Sequence, residues 1–493
     1  MTGSPDGRRP AAPETAEVVV IGGGIAGLVM ALDLARAGLR PIVLEASSTV
    51  GGVVSAHRVG DLTLDAGAES FATGRPAVTD LVAELGLAAR VALPDPLGAW
   101  VRHRAGSAPL PAMGFLGIPG RPWAADVRRV IGLPGALRCA ADVVLPTRSG
   151  PATGATLGGL VRSRMGRRVQ DRLVEPVAGG VYATDPDTLE VQTVAPGLAS
   201  AMTQAGSLAG AARLLRGGGE RSGSAVATLT GGLHTLTSPL VEAVGLAGGE
   251  VRTGIRVTGL VGAETGWRLE LDAGPTVPAR AVVLAVPAAV AATLLGTADP
   301  GLPVQVLRTP ITPVLICTLV LDDHRLDDAP RGTGVLVSAH ATGVRAKALT
   351  HATAKWRWLA DTAGPGRHVL RLSYGRGGAE LPDPTDLPGI ALRDAAELLG
   401  VGLSPASVVD AAVVSWPSAL PAPRPGHADA IRALRTQLAP AGLAVVGAAV
   451  AGSGLAGVVG DARREAAELI KRLGDVASIA SPADPPSPGP AGG

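Results

Sequence analysis

The sequence predicts an α/β protein: a Rossmann-like dinucleotide-binding domain, a second domain built on a mixed sheet, and a helical subdomain. Three observations predict it. A glycine-rich strand, turn and helix opens at Glu17, strand-forming segments dominate from about residue 295 to 404, and a second glycine-rich strand, turn and helix begins at Leu443.

In the opening stretch EVVVIGGGIAGL (17–28), the apolar run Val18 to Ile21 reads as a buried strand, and Ile25, Leu28, Val29, Leu32 and Leu34 follow at helical spacing. Gly22, Gly24 and Gly27 occupy the G-x-G-x-x-G positions. There the missing side chains let the amides of the first helical turn, from Ile25 and Ala26 to Leu28 and Val29, approach a pyrophosphate. A second strand, Pro41 to Leu44, ends in Glu45, placed with Ala46 to meet a ribose. The glycine pair Gly51-Gly52, followed by Val53, lets another loop close over the same ligand, and Gly67, Ala68, Glu69 and Ser70 form a third approach.

Three glycine elements in this order resemble the FAD-binding start of the amine-oxidase-like flavoproteins, and GAESF (67–71) is similar to an element of the protoporphyrinogen and coproporphyrinogen oxidases. The resemblance implies a Rossmann-like FAD-binding domain assembled from discontinuous segments, at residues 17–90, 225–294 and 405–475. It further implies a helical subdomain at 91–224 and a mixed-sheet substrate domain at 295–404, while Pro/Gly/Ser-rich composition predicts a disordered leader (1–16) and tail (476–493).

Length and composition agree with several cores. The chain has 493 residues, 46% hydrophobic and 17% charged. Mean hydropathy is +0.31, much of it from alanine, and no run of about eighteen strongly apolar residues offers a membrane span. No apolar signal core follows Arg8-Arg9, so a cytoplasmic location is expected. A net charge of +2 is too mild to imply nucleic acid. Cys139 and Cys317 lie far apart and read as buried reduced thiols, and the scattered histidines predict no metal site. With aromatic content at 2%, flat ligands are expected to lie between aliphatic side chains and glycine backbone.

Further along, Pro76 to Leu85 reads as a helix, and short amphipathic pieces occur at Ala124 to Ile131 and Ala136 to Val144. Thr156 to Glu175 reads as one long amphipathic helix whose arginines (162, 164, 167, 168, 172) form a solvated face. Its end, LVEPVAGGVYATDP (173–186), resembles the porphyrinogen oxidases a second time. Gly217 to Gly223 reads as a mobile loop. Then come a strand (Val226 to Leu229), a helix through Val244, a single strand from Glu250 to Val261, and strands at Trp267 to Leu271 and Ala281 to Val286. In this class of flavoprotein Val257 looks like the backbone contact to adenine.

Strands follow at Val314 to Leu321, Thr333 to Ser338, Ala348 to His351 and Val369 to Tyr374, and THATAKW (350–356) resembles the family's strand ending in Lys-Trp. Asp386 to Leu399 reads as a helix. Trp416 looks like the family's flavin-proximal tryptophan, although the tyrosine that many members carry before Gly426 is replaced here by alanine and proline. The closing strand Leu443 to Val446 leads into a glycine-rich turn, with Ser453, Gly454 and Leu455 at the start of a helix running to about Leu473.

The resemblance implies oxidation of a porphyrinogen by hydride transfer to FAD, with molecular oxygen as acceptor, hydrogen peroxide as product, and a transient contact with the next heme-pathway enzyme. No general acid or base is singled out. Coproporphyrinogen III is favoured over protoporphyrinogen IX by the missing membrane anchor. Arg75 either faces the substrate or lies along the surface at a helix start. A different substrate, such as an amine, and a porphyrin- or flavin-binding carrier without turnover remain the alternatives.

Overall fold

The computed structural model describes residues 16–112, 114–146, 154–182, 185–195, 197–216, 226–421, 426–452 and 454–480. The expected loop at Gly217 to Gly223 lies outside the described residues. Two seven-stranded sheets organise the rest.

The first sheet runs Glu250–Arg252, Pro41–Leu44, Ala16–Ile21, Val277–Leu284, Gly266–Leu271, Val257–Ala263, and Leu443–Val445 also pairs with Val277–Leu284. Its parallel half explains the unbroken apolar run at the start of the chain: Val18 and Val20 face one core and Val19 and Ile21 the other, all at most 4% exposed. The helix Ile25–Arg36 and the long helix Leu455–Ala480 cover one face; Ala288–Ala298 and His427–Leu438 cover the other.

The expected single strand from Glu250 to Val261 is two strands on opposite edges of this sheet. Gly254, at φ +70, turns the chain across the ends of the parallel strands, where the Gly254 and Ile255 amides donate to the carbonyls of Ser47 and Glu45. Alternation alone cannot reveal such a crossing. The closing helix extends to Ala480, past Leu473 and into the span read as tail.

The second sheet runs Val408–Pro421, Ile311–Asp322, Arg367–Tyr374, Ala348–His351, Gly334–Val337, Trp100–His103, Gly106–Pro109. Three of these strands lie outside the 295–404 span. Leu387–Leu399 packs on one face against Val335, Val337 and Leu349, and by alternation Leu336 and Ala348 turn to the other.

The helical layer has its own core. Ala125–Ala140 kinks at Gly132 (φ 73), dividing it into two pieces. The expected long helix from Thr156 to Glu175 is interrupted: Leu157–Met165 stops at Gly166 (φ 90), a π-helical turn spans Gln170–Val174, and Glu175–Tyr182 follows. Nor are all its arginines solvated. Arg164 is buried, its Nε donating to Asp142 Oδ1 at 2.6 Å, while Asp142 Oδ2 accepts the Ala209 amide at 2.9 Å. Cys139 and Cys317 are buried and unpaired, and burial pushes both thiols up to about 12. No helix among the described residues is long and apolar enough to cross a membrane.

Candidate active site

The three glycine elements close on one another at the carboxyl ends of the parallel strands. The Gly51 amide donates to the Gly23 carbonyl at 2.8 Å, and the Ala68 amide to the Val53 carbonyl at 2.8 Å. A β carbon on Gly22 would lie 2.5 Å from the Ala285 carbonyl oxygen, on Gly27 2.0 Å from the Gly22 oxygen, and on Gly67 2.3 Å from the Val53 oxygen. These glycines exist because protein backbone occupies the space. Gly24 differs, since nothing lies within 4 Å of its would-be β carbon, and Gly52 meets only the Gly24 Cα. The Gly24–Gly52 surface is therefore an open cradle. The first intrahelical bond runs from the Leu28 amide to the Gly24 carbonyl, leaving the amides of Ile25, Ala26 and Gly27 ahead of it.

Glu45 is fixed beside this cradle by the Gly23 and Ser47 amides, both at 2.7 Å. Val257 is 7% exposed, on the strand that begins just after the crossing over Glu45. The closing turn arrives from the other side: a β carbon on Gly447 would sit 3.7 Å from that of Ala26, and Gly454 opens onto free space at the start of the long helix, where Leu455 packs on the first core. Ser453 lies outside the described residues. Ala46 and Val53 lie beside these elements with exposed side chains.

Glu69 joins the two sheets. It is held between Lys355 Nζ, 2.6 Å from Oε1, and Arg371 Nη1, 2.5 Å from Oε2, while Arg371 Nη2 donates to the Gly67 carbonyl at 2.8 Å. Burial alone would raise the Glu69 carboxyl, yet the two cations hold it down at about 2. Trp416 completes this corner: its indole nitrogen donates to the Ala66 carbonyl at 3.2 Å and its ring lies against Gly67. Lys355 sits in a short helical turn, Ala352–Lys355, rather than on the strand, which stops at His351. Asp65 accepts the Leu233 and His234 amides and pairs with His234 Nδ1 at 2.8 Å, tying the opening segment to the helix after residue 236.

Next to this corner is a cavity of about 740 Å³, within the usual range for small-molecule sites. Leu336, Ala348 and Thr350 of the second sheet form one wall, and Leu173 and Val177 of the helical layer another. The proline-interrupted loops near Leu93–Ala99 and Leu110–Pro119 form the rest. Among the described residues its lining includes no aromatic residue and, as charged groups, Asp95 and Lys355. Thr73 lines it, but Arg75, two residues on, is exposed and outside the lining. Sequence periodicity assigned the 91–154 region no role, because irregular loops carry no period; Arg371 was equally silent in an alternating strand.

The model of the family described as flavin containing amine oxidoreductase matches residues 25–470. The chain is 31% identical to the coproporphyrinogen III oxidase of Mycobacterium leprae over 456 residues, covering 90% of this chain and 96% of that one. It is 27% identical to the coproporphyrinogen III oxidase of Bacillus subtilis, covering 89% and 94%. A crystal structure named for protoporphyrinogen oxidase, from Exiguobacterium sp. 255-15, superposes with a TM-score of 0.81 at 26% identity, covering 93% of this chain and all of that one. The open cradle at Gly24, the Glu45 carboxylate beside it and the two converging helix starts fit FAD. The chain belongs to the flavin containing amine oxidoreductases, in the branch of the coproporphyrinogen and protoporphyrinogen oxidases, and its cofactor is FAD.

Proposed function

We propose that the protein oxidises coproporphyrinogen III to coproporphyrin III, with molecular oxygen as electron acceptor and hydrogen peroxide as product, in the cytoplasm. The observation that carries this reading is the aliphatic cavity lined in part by Lys355, whose ammonium is anchored through Glu69 and then Arg371 to the Gly67 carbonyl beside the cofactor cradle. When bound, FAD supplies the hydride acceptor. Over the full reaction six electrons and six protons leave the macrocycle, and three molecules of oxygen become three of hydrogen peroxide.

The chain's own residues contribute position and environment. Aliphatic walls hold a flat, non-aromatic ring by burial and keep water from it. Lys355, Glu69 and Arg371 together carry one net positive charge beside the cradle, a favourable field for negative charge developing there. Trp416 and Gly67 fix the backbone on which that charge rests.

The test is anaerobic mixing of the purified flavoprotein with coproporphyrinogen III, protoporphyrinogen IX or a primary amine, followed at the flavin absorbance band. Bleaching fastest with coproporphyrinogen III, reversed by air with hydrogen peroxide released, is the expected result. Bleaching by the amine alone, or by no porphyrinogen, overturns the proposal.

A further inference from the structure

The two charged groups in the wall of the aliphatic cavity are held differently. Lys355 gives its ammonium to Glu69 at 2.6 Å. Asp95 is fixed through its backbone instead: its amide donates to the Lys355 carbonyl at 2.9 Å, and prolines at 94 and 96 restrict the chain on either side. Among the described residues its carboxylate takes part in no hydrogen bond or ion pair. The fold therefore holds an acid in place among leucine, valine, alanine and proline and leaves its oxygens unspent. Asp95 also lines a second cavity, of about 710 Å³, together with Thr353 and Ala354 of the turn that ends at Lys355. Arg357 and Asp361 of that second cavity have side chains 78% and 66% exposed, so it reaches solvent. Asp95 thus stands where the aliphatic cavity meets one that opens to the surface.

The chemistry of a porphyrinogen gives this carboxylate a use. Its pyrrole N–H groups are donors, and burying a donor without an acceptor is costly. In each oxidation a C–H bond of a carbon bridging two pyrroles breaks, and its electron pair leaves with the hydrogen as hydride. The cation left on the ring then loses an N–H proton, and the electron pair of that bond enters the new conjugated system. Aliphatic walls keep water from the ring, so the proton needs an acceptor on the protein. Among the described lining side chains, the hydroxyls of Thr73, Thr333 and Thr350 can accept a hydrogen bond but are too weakly basic to keep a proton at neutral pH, whereas a carboxylate can do both.

We infer that Asp95 is the general base of the reaction: its carboxylate accepts a hydrogen bond from a pyrrole N–H of the bound ring and takes that proton as hydride departs. This rests on the porphyrinogen reading and deepens it. The proton leaves Asp95 by way of the second cavity, and one proton per turnover is consumed when oxygen is reduced to hydrogen peroxide, so each turnover balances. The same negative charge repels other carboxylates, so the propionates of the substrate point away from this wall.

The experiment uses the FAD-loaded enzyme with Asp95→Asn and Asp95→Glu. Each is mixed anaerobically with saturating coproporphyrinogen III, and the rate constant of flavin bleaching is read; binding of coproporphyrin III is titrated separately by quenching of its fluorescence. A general base is worth about a hundredfold or more, so bleaching in Asp95→Asn should slow by at least about that factor, while Asp95→Glu, which keeps a carboxylate, recovers at least about tenfold of the loss. Coproporphyrin III should bind Asp95→Asn as tightly as wild type or more tightly, because the variant removes a repelling charge and keeps the volume of the side chain. The melting temperature should be unchanged, since no group of the chain loses a partner. Bleaching of Asp95→Asn within about threefold of wild type overturns the assignment while leaving the porphyrinogen reading intact. So does a slow Asp95→Asn whose coproporphyrin affinity and melting temperature fall together, the result of a purely structural aspartate, and so does an Asp95→Glu as slow as Asp95→Asn. Failure of the wild-type enzyme to bind or oxidise any porphyrinogen overturns both.

Discussion

Replacing Glu69 by glutamine tests the junction between the two sheets. The carboxylate is half of two short contacts, 2.6 Å to Lys355 and 2.5 Å to Arg371, and its side chain is 15% exposed. Its pKa is about 2 in the folded protein against an ordinary value of 4.5, a difference worth about 3 kcal/mol at 1.36 kcal/mol per pKa unit. A second route gives a similar figure: removing one partner of a buried ion pair costs about 3–5 kcal/mol because the remaining charge stays buried. Because the folded pKa is depressed, this stability is fully present above pH 4.5 and is lost as pH falls towards 2, where the wild-type carboxyl becomes neutral like the glutamine. Urea unfolding of Glu69→Gln, followed by flavin fluorescence and far-ultraviolet ellipticity, should therefore show about 3 kcal/mol lost at pH 7, narrowing below pH 4.5. Adding Lys355→Met should recover at least about 1 kcal/mol, since only Arg371 then lacks its carboxylate and it keeps the Gly67 carbonyl. A loss at pH 7 below 1 kcal/mol, or one independent of pH, would contradict the reasoning.

Other perturbations separate the roles of neighbouring residues. Gly24→Ala, at a φ of −70 that any residue tolerates and with open space ahead of the β carbon, should leave apoprotein stability within about 0.5 kcal/mol while weakening FAD affinity, measured by flavin fluorescence titration. Gly67→Ala drives a β carbon to 2.3 Å from the Val53 oxygen, so it should lower the apoprotein melting temperature as well; equal behaviour of the two variants would count against the open cradle. Asp142→Ala leaves Arg164 buried without its carboxylate and should cost about 3–5 kcal/mol in denaturant unfolding with an unchanged flavin spectrum. Truncation after residue 440 removes Leu443–Val445 and the long closing helix, and the product should purify without FAD; a flavin-loaded product would contradict the role given to that helix.

The sequence by itself determined whatever is carried by local pattern. Val18 to Ile21, the G-x-G-x-x-G glycines and Glu45 form a strand, a turn and a strand end because apolar runs and glycine spacing act through neighbouring residues. The resemblance carried by residues 67–71 and 173–186 identified the flavin and the family. Only the tertiary structure decided what depends on residues far apart in the chain. It split 250–263 into two strands on opposite edges, because Gly254 turns the backbone where periodicity continues. It buried Arg164, one of five arginines that the sequence reads as a solvated face, because Asp142 comes from another segment. It assembled the cavity from loops without period.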